Sequence, residues 1–176
     1  MSSTTSAKPA IKTKTLVIYA LFIALTLVAT AFIQFRLPIM GNGGLIHLGN
    51  VPLFVAAFVY GRRAGMISGA FGMALFDLLS GWTAWAPFTF VIVGIMGYLA
   101  GLIADKMPGN RIFVYSFAVF AALFVKIVGY YFAEVILYGN WAVPLGSVPG
   151  NFLQVVVAGI VVVPLAERLR KSIGRI

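Results

Sequence analysis

Apolar residues run through the chain in long unbroken stretches that short breaks of glycine, proline and charge interrupt. Six stretches stand out, at 15–35, 45–60, 64–80, 87–104, 112–138 and 149–167. A membrane-crossing helix needs about 20 mostly apolar residues, so the pattern predicts an all-α bundle of six transmembrane helices. Strands are not expected, because a membrane barrel shows short segments alternating in polarity, whereas these runs are continuous with Ala and Gly at helical spacing. The second stretch is short and follows the breakers Pro38 and Gly41-Asn42-Gly43-Gly44, which suggests a short helix entered by a dipping loop.

Composition supports this reading. The 176 residues are 61% hydrophobic and 10% charged, too few charges to cover a water-soluble globule. That excludes soluble enzymes and disordered tails. The formal net charge of +9 would suggest nucleic acid in a soluble protein, but no basic run is interleaved with base-stacking aromatics. With no cysteine, disulfides, thiolate metal sites and cysteine nucleophiles are excluded.

The cations fall on alternate breaks. Lys8, Lys12 and Lys14 precede the first helix, Arg62 and Arg63 follow the second, Lys106 and Arg111 the fourth, and Arg168, Arg170, Lys171 and Arg175 the sixth. Eleven of the 13 thus lie on one side, which predicts that both termini are cytoplasmic. Residues 1–14 then form a cytoplasmic tail, 15–169 the six-helix membrane domain and 170–176 a basic cytoplasmic tail. Ala29-Thr30-Ala31 imitates a signal-peptide cleavage site, but the apolar run continues past it to Phe35.

Charged and amide groups in hydrocarbon are costly and mark a pathway, a binding site or a structural pair. At 1.5 Å per residue, Asp77, Lys126 and Gln154 each lie about 20 Å from the cytoplasmic ends of their helices, a common level outside the midplane. Lys126, Tyr130 and Glu134 follow i, i+4, i+8 along one face, and Asn151 and Gln154 form a matching face at i, i+3. His47 and Asn50 sit where the glycine-rich external loop enters the second helix, and Trp82, Trp85 and Trp141 lie in or beside the other external breaks. Together they describe an outward-opening, aromatic-walled polar pocket for substrate. Blander roles stay open. Asp77 and Lys126 could neutralise each other as a structural ion pair, Glu134 could be solvated at the outer interface, and the tryptophans could form an aromatic belt. A lone His47 without a second His or any Cys predicts no metal.

Ala20 with Ala24, Gly65 with Gly69 and Gly97 with Gly101 are small-xxx-small pairs that permit close helix approach. The glycine pairs suit internal packing, and the alanine pair could face another subunit. No phosphate-binding loop, HExxH or GxSxG motif is present, so transport energy must come from elsewhere.

From residue 15 to 104 the chain resembles the substrate-capture (S) components of energy-coupling factor (ECF) vitamin transporters. The resemblance rests on Ala20-Leu21-Phe22-Ile23-Ala24, on the stretch HLGNVPLFVAAFVYGRRAG, on Asp77-Leu78-Leu79-Ser80-Gly81 and on WAPFTFVIVGIMGYLAGLI. It implies a six-helix, non-enzymatic subunit in a prokaryotic cell membrane, binding a vitamin near the outer face without a cofactor. It also implies that the alanine motif docks on a membrane coupling subunit, that two cytoplasmic ATPases complete the complex, and that rotation of the S component delivers the vitamin inward. The branch it most resembles takes hydroxymethylpyrimidine or pyridoxine and shades towards riboflavin-type members. Pantothenate, whose carboxylate could pair with Lys126, and a stand-alone proton-coupled carrier using Asp77 or Glu134 are the alternatives. A membrane enzyme or assembly factor has no catalytic constellation to support it.

Overall fold

The structure, a computed structural model, describes residues 12–36 and 45–173. Most of the amino-terminal tail, the Pro38 and Gly41–44 breakers and Arg175 lie outside the described residues.

Six helices form where the apolar stretches predict them: α1 (Thr13–Phe32), α2 (Asn50–Tyr60), α3 (Arg62–Leu79), α4 (Ala86–Lys106), α5 (Arg111–Tyr138) and α6 (Val148–Ile173). A short 3₁₀ turn, Val143–Gly146, leads into α6. Four helices are long and apolar enough to cross a membrane: α1, α4, α5 and α6 with its approach. The expectation of no strands needs correction. The second apolar stretch divides into α2 and a strand, β2 (Leu45–His47), which pairs antiparallel with β1 (Gln34–Arg36). Ile46 opposes Phe35, and the Leu48 N–H extends the pairing by donating to the Ile33 carbonyl at 3.1 Å.

At 11 residues α2 is about 16 Å long, half a hydrocarbon core. It is nevertheless the most enclosed helix, because α1, α3, α4 and α6 all pack against it. Leu53, Phe54, Ala57 and Phe58 are buried with Val93 and Met96 of α4, Tyr115 and Ala118 of α5, and Val155 and Val162 of α6. Phe58 stacks on Tyr115 with ring centroids 4.5 Å apart. One residue joins α2 to α3: Gly61, at φ 91°, a conformation that disfavours any side chain.

The glycine pairs do pack internally. A Cβ on Gly97 would strike the Gly65 carbonyl, and one on Gly65 would meet Ala57 at the α2 interface. The alanine pair does not: Ala20 and Ala24 are exposed on α1. That helix touches the bundle along Phe22, Thr26 and Thr30, at i, i+4, i+8. There Thr26 Oγ1 and Ser68 Oγ lie 2.8 Å apart, and the Ser68 hydroxyl is 3.1 Å from the Phe22 carbonyl.

The tail boundaries also shift. Helix α1 begins at Thr13, within the tail expected over 1–14, and α6 continues to Ile173. Arg170 is no tail residue, because its guanidinium donates to the Phe58 carbonyl at 3.2 Å and the Tyr115 hydroxyl at 3.3 Å.

Candidate functional site

Five helices bring polar groups to the same end of the bundle. The cavity there, about 100 Å³, is lined from the end of α1 (Thr30), from β2 (Leu45, His47), from the end of α3 (Met73, Phe76, Asp77) and from the α3–α4 turn (Trp82, Trp85). Thr89 of α4, Lys126, Tyr130 and Glu134 of α5, Ser147 before α6, and Asn151 and Gln154 of α6 complete it. The helix directions put Arg62, Lys106, Arg111 and Arg168 at the opposite end.

Lys126 is 1% exposed, and its direct partner is an amide. Its Nζ donates to Gln154 Oε1 at 2.8 Å, and the Gln154 amide nitrogen donates to the Leu45 carbonyl, so α5, α6 and β2 are tied through one chain. The ammonium lies 5.5 Å from the centroid of the Tyr130 ring. Among the described residues Lys126 and Asp77 form no ion pair within 4 Å, although the two charges are near enough to act on each other. Asp77 instead shares a hydrogen bond with Thr89, whose hydroxyl oxygen also accepts from Tyr130 at 3.1 Å. The second carboxylate oxygen, Oδ2, is buried without a partner. Glu134 is hydrogen-bonded with Ser147.

The Gly49 N–H donates to His47 Nδ1 at 3.2 Å, so a neutral His47 carries its proton on Nε2. Burial, and then the positive charge of Lys126, hold this imidazole well below its usual pKa, which keeps it neutral. Trp85 forms an aromatic wall, 6.5 Å from Tyr130, 6.3 Å from Trp82 and 5.9 Å from Tyr138 between ring centroids. Such a site can stack a planar ring and bond its edge through a carboxylate, an ammonium, amides and hydroxyls.

Of the nine residues assigned to substrate from the sequence, eight line the cavity: Lys126, Asp77, Gln154, Asn151, Tyr130, Glu134, His47 and Trp85. Asn50 does not. It is 0% exposed at the start of α2, and neither polar atom of its amide has a partner. Trp141 is also outside, 65% exposed, with its carbonyl accepting from Tyr131 at 2.8 Å. Thr30, Thr89, Ser147, Met73, Phe76 and Leu45 line the cavity without having been singled out. Thr30 carried one usable signal, its place one turn beyond Thr26 on a buried stripe. Among the described residues no cluster of three His, Cys, Asp or Glu side chains could hold a metal ion.

Comparison with known proteins adds four findings. A family described as "ECF-type riboflavin transporter, S component" matches residues 10–171. The "Thiamine precursor transporter HmpT" of Lactococcus lactis subsp. cremoris (strain MG1363) is 32% identical over 159 residues, 88% of this chain and 89% of that protein. An "Uncharacterized protein in gap 3'region" of Pyrococcus woesei is 31% identical over 144 residues, 80% and 93% of the two chains. Among solved structures, one described as "Structure and mechanism of the S component of a bacterial ECF transporter" superposes with a TM-score of 0.72 at 24% identity. The match covers 92% of this chain and 98% of the other.

Proposed function

The chain belongs to the S-component family of ECF-type transporters, and from that premise we propose that its cavity captures a hydroxymethylpyrimidine-type thiamine precursor. It is therefore a multi-pass membrane subunit that binds substrate for an importer and works with an ECF module of membrane and ATPase subunits. The observation that carries the ligand is the unpartnered Asp77 Oδ2 beside a Trp85–Tyr130 wall. Asp77 lines the cavity with one carboxylate oxygen unpartnered, which calls for a donor on the edge of a stacked ring, and an aminopyrimidine has one. The similarity to HmpT points the same way.

In this reading Lys126, Gln154, Asn151, Tyr130, Glu134 and His47 bond the remaining polar groups, and Asn50 backs the site from beneath β2. The six helices all lie in a prokaryotic cell membrane with both termini in the cytoplasm, and the cavity end faces out. Ala20 and Ala24 dock on one membrane coupling subunit, which two cytoplasmic ATPases serve.

Riboflavin is the second reading, favoured by the name of the matching family. A cavity of about 100 Å³ suits one ring better than a fused three-ring system. Calorimetric titration of the purified protein with hydroxymethylpyrimidine, pyridoxine and riboflavin tests this. Tightest binding is expected for hydroxymethylpyrimidine, and preference for either of the others overturns the assignment.

A further inference from the structure

On the membrane-facing side of α5 and α6, away from the ligand cavity, the bundle carries a second and larger hollow of about 580 Å³. Its floor is made by Val119 and Gly159, where a Cβ on the glycine would touch the valine side chain. From Phe152 to Pro164 it follows α6 for about 18 Å, the depth of one leaflet in a core of about 30 Å. Pro164 lacks the N–H that would close a helical bond to the Ile160 carbonyl, so α6 is loosened at the inner end of the groove.

The rim argues against a protein helix as occupant. Phe120, Phe152 and Ile160 are 66%, 50% and 71% exposed, bulky side chains where close helix contact needs small ones. The charges at the inner mouth supply the complement. One turn beyond Pro164 lies Arg168, exposed and without an ion pair among the described residues. Its neighbour Glu167 is taken up by Lys171 at 2.9 Å, so the unbalanced charge there is positive. The Ser116 hydroxyl lies at the same end of the groove.

We propose that the α5–α6 groove is a binding site for an anionic phospholipid, with one acyl chain along Val119, Val156 and Gly159 and the phosphate on Arg168. Desolvated apolar surface takes the chain and the cation selects the headgroup.

The test measures thermal unfolding of the full chain in uncharged maltoside micelles against added phosphatidylglycerol, phosphatidylcholine or soluble glycerol 3-phosphate. Each shift is taken from the same protein's lipid-free midpoint, so a variant of lower basal stability does not mimic a lost site. Phosphatidylglycerol is expected to raise the midpoint most and glycerol 3-phosphate not at all. Arg168→Gln should require about fivefold more phosphatidylglycerol for the half-maximal shift, the loss of one surface cation. Ser116→Trp, which fills the groove from an exposed position, should abolish the shift, and Lys106→Gln, a cation at the same end on α4, should retain it. Equal shifts with both phospholipids, a shift with glycerol 3-phosphate alone, or undiminished responses in Arg168→Gln and Ser116→Trp would each overturn the site.

Discussion

Lys126 is positioned by Gln154 in the cavity proposed for the ligand, so its removal should be felt in binding before it is felt in folding. Truncation to alanine takes away a charged donor and leaves Gln154 Oε1 and any ligand acceptor without one. Lys126→Ala should cost about 1–3 kcal/mol of affinity for hydroxymethylpyrimidine, roughly 5- to 150-fold in Kd, as read by calorimetry. The double variant Asp77→Asn with Lys126→Met separates the ligand role from mutual neutralisation. Because no ion pair joins the two, it should fail to restore affinity, and a stable double variant with near-native binding would contradict the assignment. Lys126, Asp77 and Gln154 were legible in the sequence because a charge or an amide has no inexpensive place in hydrocarbon. Thr30, Thr89 and Ser147 were not, since hydroxyls are common in apolar helices and often close on their own backbone, as Thr30 does on the Thr26 carbonyl at 2.7 Å. Asn50 shows the limit of counting along the chain. It begins α2 directly after β2, and its buried, unpartnered amide is not among the groups that line the cavity.

Helices α3 and α4 approach so closely that their glycines are structural positions, and the neighbours of each decide what it tolerates. Gly97 faces the Gly65 backbone, which cannot move aside, whereas a Cβ on Gly94 would meet only side chains, the Ala70 methyl at 3.3 Å and Met66 Cγ at 3.9 Å. Gly97→Ala should therefore lower stability by about 1–3 kcal/mol or more, and Gly94→Ala by much less, in paired detergent melting curves. Helix α1 presents the opposite case. It is held by one stripe of Phe22, Thr26 and Thr30, while Ala20 and Ala24 face away from the bundle. Ala20→Trp with Ala24→Trp should leave ligand binding unchanged and block copurification with the coupling subunit. Intact assembly and uptake would remove the alanines from the docking surface. The small-xxx-small spacing announced close contact in both places without saying with what, because the pattern is the same for an internal and an external neighbour.

The six-helix plan was legible because long apolar runs have few other uses, and the hairpin was not, because strands of three residues carry too little alternation to register. The structure adds a polarity that the sequence suggested separately. The cavity occupies the end of the bundle formed by the β1–β2 hairpin, the α3–α4 turn and the loop before α6, and the cations Arg62, Arg63, Lys106, Arg111 and Arg168 occupy the other. If the cationic end is held at the cytoplasmic face, the cavity opens outward, as capture of an external vitamin requires. The chain has no cysteine, so single introduced thiols report on position without background. Thr83 and Asn140 are exposed at the cavity end, and Arg63 and Lys106 are exposed at the other. In intact cells Thr83→Cys and Asn140→Cys should react with an impermeant maleimide, and Arg63→Cys and Lys106→Cys should react only after the membrane is opened. The reverse pattern would turn the cavity towards the cytoplasm and end its reading as the entry site for an imported ligand. Labelling of all four in intact cells would mean that the helices do not separate the two ends, and the six-span arrangement would fall with it.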